Sequence, residues 1–127
     1  YREYLTISLF DVDALFVCLN YTLISVLEKE FNREITEIYI ISNKHNTVLY
    51  IGVTSHLVQR IYQHKEKLIE GFSKQYNLFK LVYFELYDDM ESAILREKKL
   101  KRWKRDWKNE LISIVNPSWK DLYPDII

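Results

Sequence analysis

The chain has 127 residues, 48% of them hydrophobic, and balances 18 Lys+Arg against 18 Asp+Glu, which describes one globular domain with an appended segment and excludes a disordered polymer. A single cysteine, Cys18, excludes an internal disulfide and a Cys-rich zinc site, and points to a reducing cytoplasm. The zero net charge hides an asymmetry: residues 1–37 hold three basic and seven acidic side chains, while the stretch REKKLKRWKRDWK (96–108) holds eight basic and two acidic.

In residues 1–34, Leu5, Leu9, Val12, Phe16, Leu19, Leu23 and Val26 recur at steps of four and three. That is a helical stripe able to pack on the domain or on a second copy. Asp11 and Asp13 interrupt the apolar run and the start is YREY, so it reads as neither a signal peptide nor a span of about 20 apolar residues. No membrane association is expected, no function is assigned to this extension, and the oligomeric state stays open.

From residue 35 the pattern changes. EIYIIS (37–42) and VLYIGV (48–53) read as strands joined by the turn-forming NKHNT (43–47). Thr54 or Ser55 is placed to cap a helix through about Lys67, and Gly71 closes that region. LVYFELY (81–87) reads as a third strand. Asp88 or Asp89 then caps a helix from about Met90 to Trp103, with Glu91 in its first turn. A further helix runs from Arg105 or Asp106 to Val115, where Asn116-Pro117 ends it, since proline cannot continue a helix. The order ββαβαα predicts an α/β domain over 35–123, a small sheet with helices packed on it, and a tail at 124–127.

Several side chains carry chemistry. Met90, Ala93, Ile94 and Leu100 stand at −7, −4, −3 and +3 from Glu97 and share its helix face. A carboxylate on an apolar stripe needs a cation: a neighbouring Lys or Arg in a salt bridge, or a hard metal such as Mg²⁺, which often takes only one or two carboxylates. Arg60 and His64, four apart, share a helix face; they suit phosphate binding and proton shuttling, or are simply a surface Arg beside a half-buried His. Tyr39 and Tyr50 lie on adjacent strands and project from one face if the register permits. Core packing with a satisfied hydroxyl, common for strand tyrosines, is the alternative.

Taken in order, Ile38-Tyr39, Tyr50-Ile51-Gly52, Arg60, His64, Glu97 and Asn116-Pro117 resemble the GIY-YIG endonuclease superfamily over roughly residues 37–123, and most of all its small stand-alone bacterial members. The resemblance implies a three-stranded antiparallel sheet flanked by helices, and phosphodiester hydrolysis with one divalent metal, Mg²⁺ (or Mn²⁺), held by Glu97. It implies that Arg60 stabilises charge on the scissile phosphate and that Tyr39 and Tyr50 orient or deprotonate the attacking water. It has His64 take the proton from a tyrosine or assist the water, and gives Asn116 a supporting hydrogen bond. Two positions depart from the pattern: Glu37 replaces the first Gly of the family's name, and Val53 stands where some relatives have a Lys.

The expected function is therefore a metal-dependent endonuclease on branched, flapped or duplex DNA, with weak sequence specificity because no second DNA-reading module is visible. Lys98, Lys99, Lys101, Arg102, Lys104, Arg105 and Lys108, within the basic run from Arg96, would track the phosphate backbone. Trp103 and Trp107 are expected in the helix–sheet core, with stacking as the alternative. The competing functions are a catalytically silent nucleic-acid-binding module and a protein–protein adaptor working through the N-terminal stripe.

Overall fold

The computed structural model describes residues 35–127, so the N-terminal stripe lies outside the described residues. Three strands, β1 (Thr36–Ser42), β2 (Leu49–Thr54) and β3 (Lys80–Tyr87), form an antiparallel sheet in the order β2-β1-β3. β1 is central and buried along its whole length, which suits its isoleucines Ile38, Ile40 and Ile41. Between β1 and β2, Asn43 Oδ1 accepts hydrogen bonds from the backbone N–H groups of Thr47 (2.8 Å) and Val48 (3.2 Å) and closes the turn.

Helix α1 (Leu57–Lys65) follows β2, with Leu57, Ile61 and His64 on its buried side. It starts one or two residues later than expected, after His56, and no side chain caps it; Thr54 Oγ1 instead accepts from the His56 N–H (3.0 Å). A single turn, α2 (Phe72–Gln75), comes after Gly71, whose φ of 118° belongs to glycine's range. Nothing in the sequence pattern predicted that turn.

Helices α3 (Met90–Arg102) and α4 (Arg105–Val115) fall where they are expected. Asp89 caps α3, accepting from the Ser92 N–H at 2.6 Å. Asn116 is the C-cap of α4, directly before Pro117. Residues 124–127 are not a loose tail: α5 (Tyr123–Ile126) is a helical turn that buries Ile126 in the core.

The apolar stripe of α3 is narrower than its spacing predicted. Ala93 and Leu100 are buried, but Met90 and Ile94 are 43% and 38% exposed. An ionic group takes part of the space between α3 and the sheet. Glu85, 0% exposed on β3, receives the hydroxyls of Tyr83 (2.6 Å) and Tyr87 (2.9 Å) and both Nε (3.1 Å) and Nη2 (3.0 Å) of Arg96. Tyr83, Glu85 and Tyr87 alternate along the strand and so share one sheet face. Arg96 also lies over the Trp103 ring (5.2 Å to the centroid). It is therefore spent on the fold and leaves the basic run to begin at Lys98.

Candidate active site

The strand register assembles the first two aromatic groups. Tyr39 pairs with Gly52 and Ile41 pairs with Tyr50. Directly paired residues share a face, as do residues two apart, so Tyr39, Gly52 and Tyr50 all lie on one side of the sheet. The Tyr39 and Tyr50 rings meet edge-on at 6.2 Å. Phe84 is the β3 partner of Tyr39, so the Glu85 cluster occupies the opposite face.

Helix α1 covers the tyrosine face and delivers His64, which is 4% exposed. Its Nε2 lies 2.9 Å from the Tyr39 hydroxyl. Its Nδ1 lies 2.9 Å from the hydroxyl of Ser73, on α2. The imidazole also packs against both tyrosine rings, at 5.6 Å and 5.8 Å. Arg60, one turn before His64, puts its guanidinium beside the Tyr39 phenol.

Burial sets the protonation of the pair. It pushes the Tyr39 hydroxyl well above a phenol's usual range; the Tyr50 phenol adds to the rise, the charge and N–H donation of Arg60 oppose it, and Glu97 raises it further. Burial pulls His64 down to about 4, with the Arg60 charge acting in the same direction. At neutral pH the pair is thus a protonated phenol facing a neutral imidazole, and Arg60 and Glu97 are both close enough to bias the phenol.

Glu97 comes from α3, between Ala93 and Leu100 on that helix's buried side. Its carboxylate is 3.3 Å from Lys101 Nζ, an (i, i+4) pair whose lysine is half exposed. No group of three His, Cys, Asp or Glu side chains that would enclose an ion exists among the described residues. One partly buried carboxylate opposite an exposed, displaceable lysine fits a hard cation that keeps several waters and takes further oxygens from a phosphate. It does not fit a softer ion that needs a closed set of protein ligands.

Asn116 stands apart from this group. Its side-chain amide donates to the carbonyls of Val82 (3.0 Å) and Lys120 (2.9 Å), and its Oδ1 accepts from the Lys120 N–H (3.2 Å). It ties the C-terminal loop to β3 at the bulge where the register with β1 shifts between Ile40 and Ile41. Its hydrogen bonds support the sheet and reach none of the other five side chains.

Of the cations in the basic run, Lys98, Lys99, Lys101, Arg102, Lys104 and Arg105 are exposed and Lys108 is half-buried. Arg105 is engaged, donating to the carbonyls of Asn46 (2.6 Å) and Thr47 (3.0 Å) and to Asn109 Oδ1 (2.8 Å). Trp103 packs against the core, but Trp107 is 51% exposed, so the expected burial holds for the first indole only. Trp107 belongs to the outer side of α4, where it meets Trp103 edge-on at 5.9 Å and Lys104 at 5.9 Å.

Ser73 is the functional candidate that sequence reasoning missed. A serine nine residues beyond His64, inside a stretch with no apolar period, gives no signal until the turn after Gly71 folds it back. The aromatic pair beside it, Phe72 and Tyr76 (4.6 Å between centroids), was equally silent; Phe72 meets Tyr50 at 6.4 Å and so borders the site.

No curated protein matches the chain. Among solved structures, the chain is similar to a UPF0213 protein from Bacillus halodurans determined by solution NMR, at 25% identity and a TM-score of 0.42, over 63% of this chain and 84% of that one. The family model for the GIY-YIG catalytic domain matches residues 36–110. That span begins with β1 and ends within α4, and it contains both tyrosines, Arg60, His64 and Glu97. More than half of the sequence, including every side chain gathered around Tyr39, falls within that match, and the chain belongs to the GIY-YIG family.

Proposed function

We propose that the protein is a metal-dependent endonuclease that hydrolyses phosphodiester bonds in DNA, with structure selectivity or weak sequence preference. The observation that carries this reading is the hydrogen-bonded Tyr39–His64 pair with Arg60 and Glu97 both acting on its phenol. Hydrolysis needs a proton acceptor for water, a cation for the developing phosphorane charge, and neutralisation of the leaving oxygen. Water oxygen bonds to phosphorus as the bond to the leaving sugar oxygen breaks; that oxygen leaves with the bonding pair and takes a proton from solvent. The water gives its proton to the Tyr39 oxygen as that phenol passes its own to His64. Arg60 donates to the phosphate oxygens, where its planar fork is best matched. Glu97 would hold Mg²⁺ (or Mn²⁺), which when bound supplies Lewis-acid stabilisation of the phosphate and leaving oxygen. A phosphate in the site also adds negative charge near His64 and makes it a better base than it is in the empty pocket.

The exposed lysines and Arg102 on the outer sides of α3 and α4 would follow the flanking backbone, so binding should weaken steeply as salt rises. The test is cleavage of plasmid, flap and four-way-junction DNA with Mg²⁺, run beside Glu97→Ala and Arg60→Ala. Cleavage by the unaltered chain that falls at least 100-fold in both variants, with DNA binding retained in Glu97→Ala, supports the reading. Binding without cleavage at any metal concentration replaces it with a silent binding module. The Glu97–Lys101 ion pair is the observation that favours that second reading.

A further inference from the structure

We propose that Ser73 is a positioning residue: it accepts the Nδ1–H of His64 and thereby fixes the imidazole in the tautomer whose Nε2 lone pair faces the Tyr39 hydroxyl. The proposal rests on the hydrolytic reading for its consequence, but its geometry does not. Tyr39 Oη, His64 and Ser73 Oγ form one buried row, with 2.9 Å at each hydrogen bond. The direction of both bonds follows from what the ends can do. The phenol has one hydrogen to place, and the groups that hydrogen-bond its oxygen are His64 Nε2 and the Arg60 guanidinium; Tyr50 and Glu97 act on it through charge alone. A guanidinium donates and never accepts. The phenolic hydrogen therefore goes to Nε2, which must carry a lone pair. A neutral imidazole has one N–H, which is then on Nδ1, and the hydroxyl oxygen of Ser73 is its acceptor.

The opposite arrangement, with the proton on Nε2, would set the imidazole and guanidinium N–H groups against one phenolic oxygen and leave its hydrogen without a partner in a buried site. Leaving a buried donor unmatched is costly enough to decide between tautomers that are otherwise close in energy. Ser73 owes its place to the turn α2, which Gly71 makes possible at φ 118°. The same turn presents Phe72 to Tyr50, so one short segment sets both the imidazole's hydrogen and one wall of the site.

The experiment is long-range ¹H–¹⁵N correlation NMR of the full chain at pH 7, which reads each imidazole nitrogen as protonated or bare, on the unaltered protein, Ser73→Ala and Ser73→Thr, with His64→Gln to assign the signals. The expected result is a protonated Nδ1 and bare Nε2 for His64 in the unaltered protein and in Ser73→Thr, and signals averaged between the two tautomers in Ser73→Ala. Cleavage by Ser73→Ala should fall at least tenfold in kcat with KM unchanged, and Ser73→Thr should restore it. A protonated Nε2 in the unaltered protein overturns the proposal without recourse to any variant, as does a Ser73→Ala spectrum identical to the unaltered one. If the spectra are as expected while no DNA is cut by any form, the tautomer assignment stands and the nuclease reading falls.

Discussion

The ring of Tyr39 lies directly across Gly52. A Cβ built on Gly52 would stand 2.5 Å from both the Cζ and the hydroxyl oxygen of Tyr39, closer than side chains approach. The glycine's role is to let a phenol cross its own neighbouring strand and reach His64. Gly52→Ala should therefore displace the Tyr39 hydroxyl from Nε2 and cut cleavage by about 100-fold, at a stability cost of about 1–3 kcal/mol. Combining it with Tyr39→Phe should add far less than the sum of the two activity losses, because both act on one hydrogen bond. A double-variant cycle on cleavage rates checks this, and additive losses contradict it.

His64 makes stability depend on pH in a stated direction. Its folded pKa, about 4, lies below the unfolded value of roughly 6.5. Between the two, the unfolded chain binds the extra proton and the folded chain does not, so stability declines as pH drops from about 6.5 toward 4. Above about 6.5 this residue contributes no slope. The difference in urea-unfolding free energy between the unaltered protein and His64→Gln should shrink across that window, by up to roughly 3 kcal/mol as an upper bound. A difference that stays constant from pH 7 to pH 4.5 would show that His64 titrates at an ordinary value when folded.

Removing Arg96 should be among the most damaging single changes. Arg96→Met leaves the fully enclosed Glu85 carboxyl without its cation, with only the two tyrosine hydroxyls as donors. The expected loss is about 3–5 kcal/mol, read as a lower urea midpoint. The neighbouring Lys98→Met, on the exposed side of the same helix, should change stability by less than about 0.5 kcal/mol. Equal effects at the two positions would mean the Glu85 cluster is not the buried ionic group described above.

Asn116→Ala should destabilise without removing chemistry. Three hydrogen bonds to Val82 and Lys120 are lost, and two of them leave backbone carbonyls unmatched, a cost of about 2–4 kcal/mol in total. At a temperature where the variant stays folded, its kcat should remain within about threefold of the unaltered protein. A drop like that of Glu97→Ala, in a protein whose unfolding midpoint is unchanged, would place Asn116 in the chemistry instead.

The strands, α1, α3, α4, the Asp89 cap and the Pro117 stop were legible because each depends on local pattern: β-branched runs, a 3.6-residue period, a capping carboxylate. Tyr39 and the four side chains Tyr50, Arg60, His64 and Glu97 around it were legible for another reason, their order and spacing along a known family. The rest depends on contacts across the fold. The Glu85–Arg96 pair joins a strand to a helix eleven positions on, and the buried face of α3 is centred on Ala93, Arg96 and Leu100, which leaves Met90 and Ile94 partly exposed. Tyr83 and Tyr87 read as ordinary strand aromatics, yet their hydroxyls solve a burial problem that only the folded sheet creates. The helical period at Trp107 cannot show which side of α4 meets the sheet. Ser73 depends on a turn that a single glycine makes possible, and no periodicity marks it.

The strand order β2-β1-β3 also constrains synthesis on the ribosome. A nascent chain can form the β1–β2 hairpin soon after Thr54 emerges, but the other edge of β1 waits for Lys80–Tyr87. Through that interval of some two dozen residues, Ile38 and Ile40 lie on a strand with one ladder unfilled. Translation stalled there should yield a fragment prone to pairing with its own kind, and chaperones that bind extended apolar segments would find their target in β1.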